Sequence, residues 1–251
     1  MKNGFITLGL LTFFLFLGTF GSAQNATEIV KKAYERNNGK SSYTEMTMKI
    51  VRPTYERSIS MKAWSLDTKY SMVYITAPAK EKGQVSLKRD KEMWSWQPSI
   101  NRMIKLPPSM MMQSWMGSDF TNDDLINQSS IVDAYTHKIV GNEKVDGKDC
   151  YKLELIPYET ANVVWGKVFL WITKDTNDIV KSEYYDEDDY LAKTETATDF
   201  KTLGGKNIPS VFTTIPADKP GNKTIMIMSE VEFDYDVDES FFSQQNMKKI
   251  R

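Results

Sequence analysis

The sequence is poor in the residues from which most catalytic and metal sites are built. Among 251 residues it has one cysteine, Cys150, and one histidine, His137. One cysteine excludes an internal disulfide, and one histidine without neighbouring cysteines lacks the spacing of a metal-ligand cluster. We therefore predict no metal, no cofactor and no catalytic residue, with His137 as an ordinary strand residue and Cys150 as a buried apolar one. The protein is predicted not to be an enzyme. A Ser-His-Asp site or a glycosidase-like carboxylate pair stays open, because such partners meet only in the folded chain.

Neither sign of charge is in excess. The 32 lysines and arginines are balanced by 33 aspartates and glutamates, for a formal net charge of -1 at pH 7. This balance predicts no nucleic-acid partner and no strong attraction to an anionic membrane surface. The acidic run Asp186–Asp189 lacks the ligand spacing of a calcium loop and is predicted to be a solvated hairpin turn.

Only the N-terminus carries a long apolar run. Lys2 precedes the apolar stretch Phe5–Phe20, and the small residues Gly21, Ser22 and Ala23 follow it. This order is typical of a secretory signal peptide. We predict that residues 1–23 are removed after Ala23, which leaves residues 24–251 as a single periplasmic domain. The alternative is a retained N-terminal anchor.

The remaining chain is dominated by strands. A helix is predicted from Asn25, with Glu28 as its capping partner, to Asn37-Asn38-Gly39. Period-two alternation and turn residues then predict strands at 46–50, 59–63, 70–76, 84–88, 92–96, 102–106, 135–140, 150–156, 168–172, 179–185, 192–203, 208–215 and 224–235. Thr121 and Asp124 are predicted to form the capping box of a short helix between the two sets of strands. One continuous curved antiparallel sheet is predicted, with its concave side covered by helices or by a ligand.

Methionine is abundant, with 14 in the chain, and it suits surfaces that must repack around irregular ligands. An ordinary core is the alternative for any single strand position. A cluster of large apolar residues after Pro107-Pro108 lies outside any periodic element, where it is costly unless something covers it. The predicted lipid-binding walls are Met46, Met48, Met61, Met72, Trp94, Trp96 and Met103. The predicted lid is Met110, Met111, Met112, Trp115, Met116 and Phe120.

Burial energies make a lipid ligand reasonable. An acyl chain of about fourteen methylenes at ~0.8 kcal/mol each has roughly 11 kcal/mol of aversion to water. Four or five large lid side chains folding inward would contribute about 1.5 to 3 kcal/mol each. Because the two totals are of the same order, a lid and an acyl chain could exchange at little net cost.

Several segments resemble the exported outer-membrane lipoprotein-sorting proteins related to LolA and LolB. They are TAPAKEKG at 76–83, WSWQPSINR at 94–102, WMGSDFTNDDL at 115–125, VDGKDCYKLEL at 145–155 and the closing stretch from Phe233 to Phe242. The resemblance implies an α+β fold, an incomplete antiparallel β-barrel of about eleven strands with helices covering the concave apolar side. It also implies a lid-closing arginine, for which Arg52, Arg57 and Arg102 are the candidates.

The functional prediction that follows is a monomeric periplasmic carrier. Its partners would be a lipid or an acylated lipoprotein moved toward the outer membrane, with an inner-membrane exporter or ABC transporter as a further candidate partner. The alternative is an envelope sensor or scaffold module, which would bind a protein through the same curved sheet and methionine-rich loop. The cargo is left open between lipoprotein and free lipid.

Overall fold

A computed structural model describes residues 20–127, 130–161 and 163–251. The predicted signal peptide lies mostly outside these residues. Helix α1 spans Phe20–Asn38, so it starts five residues before the predicted Asn25, in a stretch with no proline to stop it. Its predicted C-terminal end is confirmed. Gly39 takes the left-handed conformation, with a φ of 63°, and donates its N–H to the carbonyl of Glu35 at 2.9 Å, as helix-ending glycines do.

The strands lie where alternation predicts them. They are β1 (Ser41–Arg52), β2 (Tyr55–Leu66), β3 (Tyr70–Ala77), β4 (Val85–Arg89), β5 (Glu92–Gln97), β6 (Arg102–Lys105), β7 (Tyr135–Val145), β8 (Lys148–Pro157), β9 (Lys167–Thr173), β10 (Ile179–Tyr185), β11 (Leu191–Leu203), β12 (Lys206–Pro216) and β13 (Lys223–Phe233). The short helices are α2 (Asn122–Asn127), α3 (Ser130–Asp133) and α4 (Gln244–Met247). Thirteen strands replace the eleven that the family resemblance implied.

All thirteen strands form one antiparallel sheet that does not close. Its order is β6-β5-β4-β3-β2-β1-β13-β12-β11-β10-β9-β8-β7. The chain therefore builds outward from β1 to one edge, crosses to the opposite edge at β7, and returns strand by strand until β13 pairs with β1. The α+β class and the incomplete antiparallel barrel with covering helices are confirmed.

The pairing register divides the side chains between two faces. Met48 of β1 lies opposite Ile59 of β2 and opposite Met226 of β13, and directly opposed residues share a face. Followed through the sheet, this face, here called the inner face, also carries Leu153 and Leu170 of β8 and β9. The other side is here called the outer face. Each face has its own cover.

Helix α1 covers one end of the inner face. Its apolar stripe of Ala26, Ile29, Val30 and Ala33 packs against buried residues of β7, β8 and β9. His137 of β7 helps to fix the helix. Its Nδ1 accepts a hydrogen bond from the Thr27 hydroxyl at 3.0 Å, and its Nε2 donates to the carbonyl of Ile131 at 2.6 Å.

The chain end, residues 236–250, covers part of the outer face and is here called the C-terminal segment. Phe242 and Met247 of this segment are buried against aromatic and aliphatic residues of β2 to β5. Phe242 stacks on Tyr70 with ring centroids 5.7 Å apart. Arg89 holds the segment by donating to the Phe242 carbonyl at 2.9 Å and to the Glu239 carboxylate at 2.8 Å. The sheet is therefore apolar on both sides over these strands.

Lys88 on β4 gives a prediction for stability against pH. Burial lowers the pKa of its ammonium from 10.5 to about 8, although the charge of Asp90 acts in the opposite direction. Between these two values the unfolded chain holds a proton that the folded chain has released, so stability from this group rises with pH. We expect urea denaturation at pH 8, 9 and 10 to show wild type gaining about 1 kcal/mol per pH unit relative to Lys88→Met. A constant difference between the two proteins would contradict this prediction.

Candidate functional site

Residues 106–127 leave the edge strand β6 and lie on the inner face; they are here called the crossing segment. A tight loop at its centre is closed by a bridge between Ser114 and Thr121. The predicted capping box is confirmed, because Asp124 accepts from the Thr121 N–H at 2.8 Å and Thr121 Oγ1 accepts from the Asp124 N–H at 3.1 Å. These bonds fix which side chains the segment turns toward the sheet.

The side chains that point inward from the crossing segment are large and apolar. Trp115, Met111, Met116, Phe120 and Leu125 pack on the inner-face cluster. The sheet contributes the cluster's remaining buried members, Met48, Ile50, Ile59, Met61, Ile75 and Met93. Trp115 is only 5% exposed, and its Nε1 lies 3.3 Å from the Ser86 hydroxyl oxygen. The segment thus fills this part of the inner face with its own side chains.

The predicted lid residues do not all take part. Met111, Trp115, Met116 and Phe120 pack against the sheet, and Met110 is half-buried. Met112 is 55% exposed, so it does not share this packing, and its place in a lid stays a prediction. Met111 and Met112 follow the short helical turn Pro108–Met110, and neighbouring side chains in such an irregular stretch point in different directions.

The predicted wall residues are divided between the two faces. Met46, Met48 and Met61 lie on the inner face under the crossing segment. The other four lie on the outer face under the C-terminal segment; they are Met72, Trp94, Trp96 and Met103. The seven residues therefore cannot line one surface. Lipid binding by either group stays a prediction.

Two of the three arginine candidates hold the crossing segment to the sheet. Arg52 donates to the Asp119 carboxylate at 2.9 Å and to the Gly117 carbonyl at 2.8 Å. Arg57 donates to the Met116 carbonyl at 3.1 Å. Arg102 lies exposed on the edge strand β6. Asp119 is also held by the Thr224 hydroxyl at 2.7 Å, so the loop of the segment is fastened at its apex.

A second polar contact, which the sequence did not indicate, joins α2 to the sheet. Lys193 on β11 is buried, and its ammonium lies 2.9 Å from an oxygen of Asp124 and 2.9 Å from an oxygen of Glu195. The rings of Tyr184, Trp165 and Phe120 surround it, with centroids 4.5, 5.2 and 5.6 Å from Nζ. Burial by itself lowers the pKa of Lys193, but the two carboxylates outweigh it and raise the pKa.

Polar groups continue across the inner face from this point. Glu195 lies opposite Thr214 of β12, and Thr214 lies opposite Thr224 of β13. This row of hydrophilic side chains, here called the polar belt, separates the apolar cluster under α1 from the one under the crossing segment. The belt could not be recognised from the sequence, where each member is a single polar residue of a strand. Only the pairing register of the strands brings these residues together.

Comparisons with known proteins agree with this geometry. A family model described as an uncharacterized protein family matches residues 67–249, most of the chain. A LolA superfamily protein from Nitrosomonas europaea is 26% identical with a TM-score of 0.75, and the match covers 88% of this chain and 98% of that one. The chain belongs to the family of this model and has the LolA-like fold.

Two further solved structures share the fold of this LolA-like protein. A DUF1329 family protein from Desulfovibrio piger has a TM-score of 0.82 at 24% identity, over 90% of this chain and 99% of that one. A candidate outer membrane lipoprotein-sorting protein domain from Vibrio parahaemolyticus has a TM-score of 0.78 at 22% identity, over 90% and 99%. A search of curated proteins found no significant match.

The groups that could carry chemistry in this LolA-like chain have structural partners. Both ring nitrogens of His137 are hydrogen-bonded, and burial lowers its pKa. Cys150 is fully buried, and burial raises the pKa of its thiol. The acidic run forms the turn between β10 and β11, as predicted, with the Asp186 N–H bonded to the Tyr190 carbonyl at 3.0 Å.

The described parts of this LolA-like chain lack two further features. Within residues 20–127, 130–161 and 163–251, no group of three or more histidine, cysteine, aspartate or glutamate side chains is arranged to hold a metal ion. Over the same ranges, none of the helices has both the length and the apolar character needed to cross a membrane.

Proposed function

We propose that this protein is a periplasmic carrier that binds the acyl chain of a lipoprotein or another lipid on the inner face and moves it toward the outer membrane. One observation carries the proposal. Flexible and aromatic apolar side chains of a non-strand segment, Met111, Trp115 and Met116, occupy a sheet face that would otherwise expose the buried methionines Met48 and Met61. A surface covered in this way is suited to alternate between its own cover and an apolar ligand.

The exchange is energetically reasonable. An acyl chain of about fourteen methylenes gains roughly 11 kcal/mol on leaving water. Five inward-facing side chains of the crossing segment contribute about 1.5 to 3 kcal/mol each when buried, so the segment and the chain compete on nearly equal terms. A ligand that enters must displace the segment, because the segment's side chains fill the same surface.

Besides its apolar packing on the sheet, the crossing segment is fastened by polar contacts. Arg52 and Arg57 bind its apex, and Lys193 binds its helix α2. These bonds fix one closed position without adding more apolar area. Arg52 and Arg57 therefore take the place of the lid-closing arginine that the family resemblance implied.

The proposal includes the cellular setting. Residues 1–23 would be removed after Ala23, and residues 24–251 would act in the periplasm as a monomeric single domain and not as an enzyme. An inner-membrane exporter or ABC transporter would supply the cargo. The resemblance to outer-membrane lipoprotein-sorting proteins, and the fold shared with the Vibrio domain of that description, support this setting.

The test is to express the full chain in a bacterium that can export it, and to analyse the purified protein by native mass spectrometry and organic extraction. We expect an acyl species bound in stoichiometric amount. A protein that carries no lipid and also takes up no fluorescent fatty acid would overturn the carrier proposal and favour the envelope sensor or scaffold that binds a protein through the same surface.

Competition between segment and ligand predicts the effect of Trp115→Ala. Removal of this buried indole destabilises the closed position, so a larger fraction of molecules is open, and apparent affinity scales with that fraction. We expect the apparent dissociation constant for a fluorescent fatty acid, measured by titration, to fall by about tenfold or more.

Met112→Ala is the matched control for Trp115→Ala. It changes a large apolar residue of the same segment, but this side chain is 55% exposed and should leave the affinity unchanged. Circular dichroism melting checks that both variants unfold cooperatively. Weaker binding by Trp115→Ala would mean that the indole contacts the ligand, and the competition scheme would have to be abandoned.

A further inference from the structure

Asp124 is an anion on the crossing segment, which must move when a ligand enters. Lys193 is a cation on the sheet, which stays in place. The carboxylate belongs to α2 of the crossing segment, whereas the ammonium rises from β11 of the sheet, 2.9 Å away. Both side chains are almost fully buried, at 12% and 5% exposure. The closed protein therefore places a carboxylate of its own at a fixed, buried positive charge.

Displacement of the crossing segment would remove this anion. Lys193 would keep Glu195 as its partner and Tyr184 as its aromatic neighbour on the sheet, but would lose Asp124 and Phe120. A buried charge that loses a partner is strongly destabilising unless another charge or water replaces it. An anionic group of the incoming ligand would restore the arrangement of the closed protein.

A hydroxyl in the polar belt provides an independent observation. Thr214 is 1% exposed, and its Oγ1 has no hydrogen-bond partner within the described part of the chain. It stands opposite Glu195 on the inner face, about 5 Å away between the Cβ atoms of such a pair. A buried donor without a partner is costly, and here it faces the surface on which the ligand would lie.

We propose that the cargo is an acyl lipid with a single anionic head, whose negative group takes the place of Asp124 at Lys193 and accepts a hydrogen bond from Thr214. The acyl chain lies on the apolar inner face in place of Trp115, Met111 and Met116. This inference rests on the proposed carrier function and names its ligand class. The protein's own carboxylate acts as the stand-in for the ligand head in the closed form.

The experiment compares three amphiphiles with the same twelve-carbon chain, dodecanoate, dodecanol and dodecyltrimethylammonium, by displacement of a fluorescent fatty acid from the full chain at pH 8. A carboxylate is ionised at this pH. We expect dodecanoate to bind at least tenfold more tightly than the other two. Acetate, which has the head without the chain, is expected to displace nothing and so excludes a simple anion site.

Three variants assign the preference to this site. Lys193→Met should abolish the preference for dodecanoate while dodecanol still binds. Lys181→Met is the matched control. Lys181 lies on the outer face of the neighbouring strand β10 and is also paired with a carboxylate, that of Glu183 at 2.6 Å. This variant should keep the preference for dodecanoate. Asp124→Asn retains the capping geometry and removes the charge that competes with the ligand head. It should increase the preference for dodecanoate several-fold. This variant tests the site even if Lys193→Met fails to fold.

Thr214→Val distinguishes a role in ligand binding from a role in protein stability. Its hydroxyl has no partner among the described residues, so stability should stay the same or rise. Dodecanoate should bind several-fold more weakly, and the affinity for dodecanol should not change. Equal binding of all three amphiphiles, or a preference that Asp124→Asn and Thr214→Val both leave unchanged, would overturn the anionic-head inference alone. Binding of none would overturn the carrier function with it.

Discussion

Replacing Phe242 with alanine is expected to lower the free energy of unfolding by about 3–5 kcal/mol, the usual result of removing a fully buried aromatic ring. The ring is 0% exposed, stacks on Tyr70 and packs edge-on against Phe241 with centroids 5.3 Å apart. Its loss would leave a cavity between the C-terminal segment and the outer face. Urea denaturation followed by tryptophan fluorescence and circular dichroism measures the change.

Tyr190→Ala is the control for Phe242→Ala. It removes an aromatic ring of similar size from a hairpin turn, where it is 71% exposed, and a change within about 0.5 kcal/mol is expected for such a site. If Phe242→Ala were equally mild, the C-terminal segment would not be part of the cooperative structure, and the outer face would be open in solution.

Removal of the carboxylate at Asp119 should have its main effect locally, on the crossing segment. The Asp119–Arg52 pair is buried, at 4% and 12% exposure, and removal of one partner of a buried pair costs about 3 kcal/mol or more. In Asp119→Ala we expect hydrogen exchange in the segment to accelerate on the order of 100-fold. The amides to follow are those of Trp115 and Asn122, which are bonded within the segment.

Gln113→Ala provides the comparison for Asp119→Ala within the same segment. Its side chain is exposed, and its backbone carbonyl, which accepts from the Asn122 N–H at 3.0 Å, is retained. Exchange should match wild type. If Asp119→Ala exchanged no faster than this control, apolar packing alone would hold the segment closed, and the arginine contacts would have no part in closure.

The strands could be predicted from sequence because each is a local pattern. Alternation places Met46, Met48 and Ile50 on one side of β1 whatever the strand pairs with. Alternation does not say which side of the next strand lies on the same face of the sheet. That depends on the pairing register, and a shift of one residue exchanges the two faces. Register shifts such as that between Ser60 and Met61 cannot be read from the pattern, and this is why the predicted walls fell on both faces.

The cover of the sheet was harder to predict than the sheet. The methionine-rich run was predicted to be a lid because apolar residues outside a periodic element need a cover, and its packing on the inner face is observed, whereas lid function stays a prediction. The aromatic residues of the C-terminal segment look similar in sequence, yet they cover the opposite face. The Lys193–Asp124 contact joins residues distant in the chain, and a lysine in a strand gives no local sign that it is buried.

The place of β1 in the sheet also has a consequence for how the chain reaches its folded state. β1 pairs with β2, its neighbour in sequence, but its other edge pairs with β13, for example Ser42 with Phe233. During synthesis that edge stays unpaired until nearly the whole chain is available, and contacts so distant form slowly. An unpaired edge rich in methionine and isoleucine is a template for aggregation. The sheet is therefore completed only when the chain as far as Phe233 has been made.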